Sequence, residues 1–294
     1  MDLMELQQMR YVVAVAELGS FTRAAERCFV VQSALSHQVA RLEEELGTRL
    51  FHRTSRQVRL SPAGEAFLPV ARQCLDAAER AVAEVAAATG EIRGTLAVGL
   101  VPTVAAIDVP VVLREFREQH PQVRLRLETG GSDDFLRQVA EGALDVAFLG
   151  LPEGREVTGV GYQLLSRDRH LAVLAPDHRL AVRRRLRLAD LADEPFVDFP
   201  SGTAGREQSD RAFAAAGLAR EVVFEVMDML LMARLVRSGL AVGLLPSGYV
   251  AQVPDLVTLP VQGAPSRGEH VIWSGFGPAP AAAALLAQIG VPVR

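Results

Sequence analysis

The fold of the N-terminal part is decided by residues 20–60, which read SFTRAAERCFVVQSALSHQVARLEEELGTRLFHRTSRQVRL. The pattern predicts a helix, a tight turn, a second helix and a short basic hairpin. In the second helix, apolar side chains recur at steps of four, three and four, a spacing that turns them toward a core. They are Leu35, Val39, Leu42 and Leu46. Only residues 29–31 separate this helix from the preceding one, about Phe21–Cys28, and this spacing is typical of a helix-turn-helix.

The outward face of the second helix carries hydroxyl, imidazole and guanidinium groups. Such groups supply the donors and acceptors that are needed to read base edges in a major groove. A plain packed helix pair, with polar residues outward only because surfaces are polar, remains the alternative for the pattern alone. The candidate DNA contacts on the two helices are Thr22, Arg23, Gln32, Ser33, Ser36, His37 and Arg41.

The segment from Gly47 to Leu60 is basic, with four arginines, one histidine and no acidic residue. Val58 and Leu60 alternate with polar neighbours, as in a small β-hairpin. A basic hairpin beside a helix-turn-helix predicts a wing that follows the phosphates or enters the minor groove. Arg53 and Arg56 are the candidate contacts in this wing.

Three stretches of sequence carry a resemblance to a known family: MRYVVAVAELGSFTRAAERC, QSALSHQVARLEEELGTRLFHRT and VRLSPAGEAFLPVAR. Over Leu6 to Arg72 the chain resembles the LysR-type transcriptional regulators. The resemblance implies a winged helix-turn-helix that binds double-stranded promoter DNA, and a C-terminal half that binds a small-molecule effector. Val31 departs from the capping hydroxyl that is frequent in the family at this position, and His37 departs from the more usual arginine.

Length and charge agree with a DNA-binding head on a larger body. A chain of 294 residues suggests about two domains, and 49% hydrophobic with 22% charged residues predicts a globular protein. All 31 basic residues are arginine. Residues 1–60 carry eight arginines against seven acidic residues, a net charge of +1, and the remainder carries a net charge of −5. This distribution fits a head that binds nucleic acid and a body that does not.

Several other classes of protein are not indicated. Cys28 and Cys74 show no metal-binding spacing and are expected to be buried apolar residues in a reducing cytosol, with a redox switch as the alternative. Residues 1–18 do not resemble a secretory signal, and no run approaches the ~18 apolar residues of a membrane span, so a cytoplasmic protein without membrane contact is expected. No GxSxG, HExxH or P-loop pattern is present. We therefore expect no enzyme, no cofactor and no metal.

Residues 61–90 predict one long helix, capped by Ser61 and running to about Ala88. Apolar side chains recur along it as a heptad seam. A long helix with such a seam needs a partner, and pairing with a second copy would set two recognition helices about 34 Å apart on successive turns of DNA. A surface helix packed on its own domain is the alternative. The candidate dimerisation residues are Phe67, Ala71, Cys74, Ala78 and Val85.

From Arg93 onward, short apolar strands alternate with helical segments, which predicts an α/β domain with a mostly parallel sheet. Two lobes with a cleft between them, as in periplasmic binding proteins, are implied by the resemblance. The expected fold is therefore α+β multidomain, with a winged helix-turn-helix at 1–60, a linker helix at 61–90 and a two-lobed α/β domain at 91–294. Lobe I would take about 91–165 and 266–294, and lobe II about 166–265.

Ligands in open α/β sheets bind at the carboxyl ends of strands, near helix N-termini. Three loops in such places are rich in hydroxyls and glycine, and they suit a small carboxylate or another anion. Two phenylalanines could supply an apolar wall, and Arg206 could pair with the charge. The alternative is that these small residues cap helices and that Arg206 is solvated. The candidate effector contacts are Pro102, Thr103, Gly131, Ser132, Phe148, Phe199, Ser201, Gly202, Thr203 and Arg206.

The leading hypothesis is a promoter-binding regulator that responds to a small metabolite. The long helix predicts a homodimer, the resemblance implies a homotetramer, and RNA polymerase is a further candidate partner. A sensor module without DNA binding, and an architectural DNA binder without a ligand, are the two rival hypotheses.

Overall fold

The chain divides into two compact units. One holds residues up to Glu91 together with Glu141–Ala143, and the other holds Ile92–Ala140 and the chain from Leu144 onward. The computed structural model describes residues 4–53 and 58–292, with the side chain of Arg53 left out. Among these residues, no helix is long and apolar enough to cross a membrane.

In the part of the first unit that the structure describes, there are four helices and a hairpin. Its elements are α1 (Leu6–Leu18), α2 (Phe21–Arg27), α3 (Gln32–Glu45), β1 (Phe51–Arg53), β2 (Val58–Leu60) and α4 (Pro62–Ala88). Leu35, Val39 and Leu42 of α3 are fully buried, as predicted. The prediction is wrong for Leu46, because α3 ends at Glu45 and the Leu46 side chain lies exposed just beyond it.

The turn between α2 and α3 passes through a left-handed backbone conformation at Phe29, where φ is 56°. The Phe29 side chain is 95% exposed. Ser20 caps α2 by accepting a hydrogen bond from the Arg23 N–H. Val31 occupies the equivalent position before α3 and has no side-chain oxygen, so it cannot accept a hydrogen bond from the first turn of that helix.

The long helix α4 is anchored to the rest of the first unit at its start. The Ser61 hydroxyl accepts from the Gly64 N–H at 3.0 Å and donates to the Arg49 carbonyl at 2.6 Å. Gly64 lies against the Leu50 carbonyl so closely that a Cβ would collide with it. Glycine is therefore required at this position for α4 to reach the hairpin.

The second unit contains the remaining elements. They are β3 (Gly94–Leu100), α5 (Val109–Gln119), β4 (Val123–Thr129), α6 (Ser132–Ala140), β5 (Val146–Pro152), β6 (Val160–Leu174), β7 (Leu186–Arg187), α7 (Leu188–Leu191), β8 (Pro195–Asp198), α8 (Ala204–Ala215), β9 (Glu221–Glu225), α9 (Met229–Arg237), β10 (Gly243–Pro246), a short turn of 3-10 helix (Val250–Gln252), β11 (Val257–Gln262), β12 (Ser266–Ser274) and α10 (Pro280–Gln288).

One mixed sheet runs through this unit in the order β4-β3-β5-β12-β6-β11-β7, with β10 also paired to β6. The prediction of a mostly parallel sheet is wrong at its centre, where β12 runs antiparallel to both β5 and β6. Strand β12 comes from near the end of the chain and lies between β5 and β6, so these two successive strands are not neighbours joined as a βαβ unit. Strands β8 and β9 form a separate parallel pair.

The apolar cores of the second unit fall into two groups. One core surrounds Phe116, Phe135 and Phe148, and we call the part around it lobe I. Two further cores lie within residues 172–261, in the part that we call lobe II. The long strands β6 and β12 belong to the sheet of both lobes. Trp273, the single tryptophan, lies on β12 over Gly161 of β6, where a Cβ would collide with the indole.

Candidate DNA interface and effector cavity

The outward face of α3 carries the polar residues that the sequence predicts for DNA contact. Gln32, Ser33 and His37 are exposed, and Ser36 is half-buried. Arg41 is exposed and pairs with Glu45 at 3.2 Å, one turn further along the helix. The face opposite is the buried leucine and valine stripe. The helix therefore presents hydroxyl, amide, imidazole and guanidinium groups on one continuous surface.

The two candidates on α2, Thr22 and Arg23, are exposed in its first turn. The Arg23 guanidinium donates to the carbonyl of Leu18, the last residue of α1. This hydrogen bond holds the Arg23 side chain at the junction of the two helices, beside the start of α2.

The predicted hairpin is present as β1 and β2, paired antiparallel with His52 opposite Arg59. The backbone of Arg53 lies opposite Val58, whereas Arg56 lies outside the described residues. A role that the sequence pattern did not indicate belongs to Glu43. Its carboxylate accepts hydrogen bonds from the Leu50 N–H at 2.8 Å and the Phe51 N–H at 3.1 Å. Glu43 thereby fixes the start of the hairpin to α3.

The candidate dimerisation residues of α4 divide into two sets. Phe67 packs on the core of the first unit, and Ala71 is fully buried. Cys74 and Ala78 are half-buried, whereas Val85 is 70% exposed. Both cysteines are free thiols and only half-buried. Val70 and Val82, which the prediction did not include, extend the exposed apolar surface next to this seam.

A cavity that opens toward solvent lies between lobe I and lobe II. Lobe I contributes the loops after β3 and β4, and lobe II contributes the start of α8. Six of the ten residues predicted for effector contact line it: Pro102, Thr103, Gly131, Ser132, Phe199 and Thr203. The predicted loops therefore converge on a single site.

The other four residues predicted for this site do not line the cavity. Phe148 is buried in the core of lobe I, and Ser201 and Gly202 are exposed. Arg206 pairs with Asp210 at 2.9 Å and with Glu225 at 2.9 Å. Both carboxylates belong to lobe II, and a contact between Arg206 and an effector stays a prediction.

The arginine of the cavity is Arg267 on β12, which sequence reasoning missed. Its side chain is buried and makes four hydrogen bonds, to Asp168 Oδ1 at 3.0 Å, Thr103 Oγ1 at 2.7 Å, the Thr103 carbonyl at 2.9 Å and Glu269 Oε2 at 3.3 Å. Gly150 makes room for it, because a Cβ there would lie 2.6 Å from Arg267 Nη1. No signal in one sequence distinguishes this arginine from the many on the surface.

Two ionisable groups beside Arg267 have shifted pKa values. Burial raises the pKa of the Glu269 carboxyl, and hydrogen bonds from the Ala106 and Ala105 N–H groups partly oppose this. Burial, helped by the charge of Arg267, lowers the pKa of His170 to about 4. His170 is therefore neutral at pH 7. Its Nδ1 lies 3.2 Å from the Pro265 carbonyl, which only accepts, so Nδ1 carries the proton.

A hydrogen bond joins the two lobes at the cavity. Gln208 Nε2, on α8, donates to the Gly150 carbonyl on β5 at 3.3 Å. The Ser132 hydroxyl bonds to the same residue, donating to its carbonyl at 3.1 Å and accepting from its N–H at 3.2 Å. The described residues contain no cluster of three or more histidine, cysteine, aspartate or glutamate side chains that could hold a metal ion.

Comparison with known families matches both parts of the chain. Residues 6–65 match the bacterial regulatory helix-turn-helix protein, lysR family, and residues 89–290 match the LysR substrate binding domain. The transcriptional dual regulator GltC of Bacillus subtilis is 32% identical over 258 residues, covering 88% of this chain and 86% of GltC. The HTH-type transcriptional regulator ShiR of Corynebacterium glutamicum is 35% identical over 266 residues, covering 88% of each chain.

Solved structures agree over nearly the whole length. A full-length OxyR variant from Pseudomonas aeruginosa has a TM-score of 0.76 at 26% identity, covering 98% of this chain and 95% of that one. Full-length CbnR in complex with its target DNA has a TM-score of 0.70 at 26% identity, covering 98% of this chain and 99% of that one.

Proposed function

The chain belongs to the LysR family of bacterial transcriptional regulators, and on this premise we propose that it binds promoter DNA as a homo-oligomer and responds to a small anionic effector held between lobes I and II. It is a DNA-binding regulator with a ligand-binding domain. The relatives reported above are named as regulators, which fits a protein without enzymatic activity. We further propose the boundaries 1–60 for the head, 61–90 for the linker helix and 91–294 for the effector-binding domain.

The surface of α3 supports the proposal that this helix contacts DNA bases. No acidic residue occurs between Glu26 and Glu43, so the turn and the first three turns of α3 offer nothing that repels phosphate. The exposed side chains of this segment are the donors and acceptors that pair with base edges in a major groove. The hairpin adds Arg59 and the proposed contact Arg53, and phosphate contacts of this kind give affinity without sequence preference.

The cavity supports an anionic effector. The observation that carries the proposal is the buried Arg267, beside which two helices, α6 and α8, begin. A guanidinium has five N–H donors, and the fifth one belongs to Nη1, the atom nearest to Gly150. Helix N-termini add unpaired N–H groups and a favourable dipole for a negative charge. These groups together suit a small carboxylate.

Thiol oxidation is not available as the signal in the ligand-binding domain. One curated relative, from Mycobacterium avium, is named a probable hydrogen peroxide-inducible genes activator and is 35% identical over 243 residues. In the present chain both cysteines, Cys28 and Cys74, precede residue 89. The region that matches the LysR substrate binding domain therefore has no cysteine to oxidise, which favours a bound metabolite as its signal.

The test is a titration of the full-length protein on DNA from its own upstream region, at low salt, with and without a panel of small carboxylates. We expect the protein to shift the mobility of this DNA, and one of these acids to alter that shift. The same acid should stabilise the protein against heat by about 2.7 kcal/mol at 100 times its Kd. Arg267→Lys should weaken the response because the planar fork is lost. Arg206→Lys is the matched control outside the cavity. No DNA shift would favour a sensor module, and a shift that no carboxylate alters would favour an architectural DNA binder.

A further inference from the structure

Gln208 leaves one polar atom unsatisfied in the wall of the cavity. The residue is only 4% exposed, and its Nε2 donates to the Gly150 carbonyl. A carbonyl only accepts, so the orientation of the amide is fixed, with Nε2 toward Gly150 and Oε1 elsewhere. Oε1 has no hydrogen-bond partner in the part of the chain that the structure describes. A buried carbonyl oxygen of this kind has lost its hydrogen bonds to water on folding, and no protein donor replaces them, which is unfavourable.

His170 supplies a second acceptor to the same cavity. Its Nδ1 carries the proton and donates to Pro265, as described above. In a neutral imidazole the other ring nitrogen, Nε2, then has a free lone pair and only accepts. The residues that line the cavity thus offer donors, on Arg267 and at the two helix starts, and two acceptors, Gln208 Oε1 and His170 Nε2. A ligand that satisfies this wall must be both an acceptor and a donor.

The acceptors are not placed for a cation. The two carboxylates closest to Arg267 are already bonded: Asp168 to Arg267 and the Gly248 N–H, and Glu269 to Arg267 and the Ala105 and Ala106 N–H groups. A buried ammonium group on the ligand would therefore lack a carboxylate partner, and its burial would be unfavourable. A neutral donor, such as a hydroxyl, has no such requirement.

We propose that the effector is a hydroxylated small acid, whose carboxylate binds at Arg267 and whose hydroxyl donates to Gln208 Oε1 or His170 Nε2. This inference rests on the proposed function, because it assumes that a small anion occupies the cavity. It predicts selectivity, since a site built to bond a hydroxyl leaves its own buried groups unpaired when the hydroxyl is absent. The same hydroxyl would relieve the unsatisfied oxygen of Gln208.

The test uses pairs of acids that differ by one hydroxyl: propionate with lactate, succinate with malate, and benzoate with its monohydroxy derivatives. Each acid is titrated into the full-length protein by calorimetry. In at least one pair the hydroxylated member should bind ten-fold or more tightly than its partner. Equal affinity within every pair that binds would overturn the hydroxyl inference and leave the anionic effector standing. If no acid of the panel binds, both the anionic effector and this inference are overturned.

The variant Gln208→Met tests whether Gln208 is the residue that accepts the hydrogen bond from the ligand's hydroxyl. The variant keeps the side-chain length but removes the amide. The ratio of the affinities for the hydroxylated and the plain acid should therefore fall toward one, while the plain acid keeps its affinity. Its melting temperature without ligand should change little, because the variant removes the unsatisfied oxygen together with the hydrogen bond to Gly150, whose carbonyl still accepts from the Ser132 hydroxyl. Gln252→Met is the matched control, because Gln252 Nε2 also donates to a backbone carbonyl of lobe I, that of Val104 at 3.2 Å, but does not line the cavity. A hydroxyl preference that persists in Gln208→Met would show that Gln208 is not the acceptor.

Discussion

At the scale of single residues, Val31 is the clearest local weakness of the head. Replacement by serine would place a hydroxyl oxygen beside the N–H groups of the first turn of α3, as Ser20 does for α2. We expect Val31→Ser to stabilise the protein by about 1 kcal/mol, the usual contribution of an N-cap hydroxyl. Urea unfolding followed by circular dichroism measures this. Val182→Ser, on a loop residue that is 89% exposed, is the control and should change stability by less than about 0.5 kcal/mol. Equal effects of the two changes would contradict the capping argument.

His170 makes stability depend on pH. Its pKa is about 4 in the folded protein against 6.5 for an unperturbed histidine, so the unfolded chain binds more protons between these values. The contribution of His170 is complete above pH 6.5 and is lost as the pH falls toward 4. Between pH 7 and pH 5 the loss amounts to roughly 2 kcal/mol.

Burial raises the pKa of Glu269 and of Asp198, and raised carboxyl pKa values act in the opposite sense, stabilising the folded state at low pH. The measurement is therefore a comparison of urea unfolding at pH 7 and pH 5 for the native protein and for His170→Asn. The native protein should lose about 2 kcal/mol more than the variant. Identical pH dependence in the two proteins would show that His170 does not titrate in this window.

At the scale of elements, substitutions in α3 and in the hairpin should weaken DNA binding in different ways. His37→Ala should cost about 1–3 kcal/mol of binding free energy at particular base positions, because imidazole donors and acceptors read base edges. Arg53→Ala should weaken binding to all sequences alike and lower the salt slope by about one unit. Fluorescence anisotropy on specific and random duplexes, at several salt concentrations, measures both. A uniform loss for His37→Ala, or an unchanged salt slope for Arg53→Ala, would reject the respective assignment.

The elements that the sequence predicts best are those whose pattern is local. The buried stripe of α3 and the length of α4 follow from the spacing of apolar residues and from Ser61 as a cap, and both are observed. The exposed state of Leu46 could not be read from the same spacing, because it depends on where α3 ends. The direction of β12 depends on its pairing with β5 and β6, which lie far earlier in the chain, and the local alternation of strands and helices does not encode such distant pairing.

For the cavity too, residues with a local sequence signal could be predicted, whereas residues brought in from distant parts of the chain could not. Thr103, Ser132 and Thr203 follow strands or begin helices, so their place in the site could be predicted. Arg267 and Gln208 could not be predicted, because they come from the last long strand and the middle of a helix and meet the cavity only in the folded protein. Arg206 does not line the cavity, because its guanidinium lies against Asp210, one turn along α8, and Glu225.

At the scale of the whole molecule, α4 is expected to join two copies of the chain. Phe67 and Ala71 are used within the first unit, so the exposed valines near the middle and end of the helix are the surface that remains for a partner. Val85→Glu would place a charge in that apolar seam and should convert the protein to a monomer. DNA affinity should fall with it, because one half-site is then bound alone. Sedimentation measures the oligomeric state, and fluorescence anisotropy measures the affinity for DNA.

The control for this change is Val182→Glu, which adds the same charge at an exposed loop position of lobe II. It should leave both the oligomeric state and the DNA affinity as they are. A Val85→Glu protein that sediments like the native one would exclude this part of α4 from the contact between copies.

The position of Trp273 has a spectroscopic consequence. Because it is the only tryptophan and lies on β12 in lobe I, tryptophan emission reports on the second unit alone. Circular dichroism in the far ultraviolet records the helices of both units. If the two signals give different denaturation midpoints, the head and the ligand-binding part melt as separate cooperative bodies; coincident curves mean a single transition. The native chain thus contains its own optical label for one of its two parts.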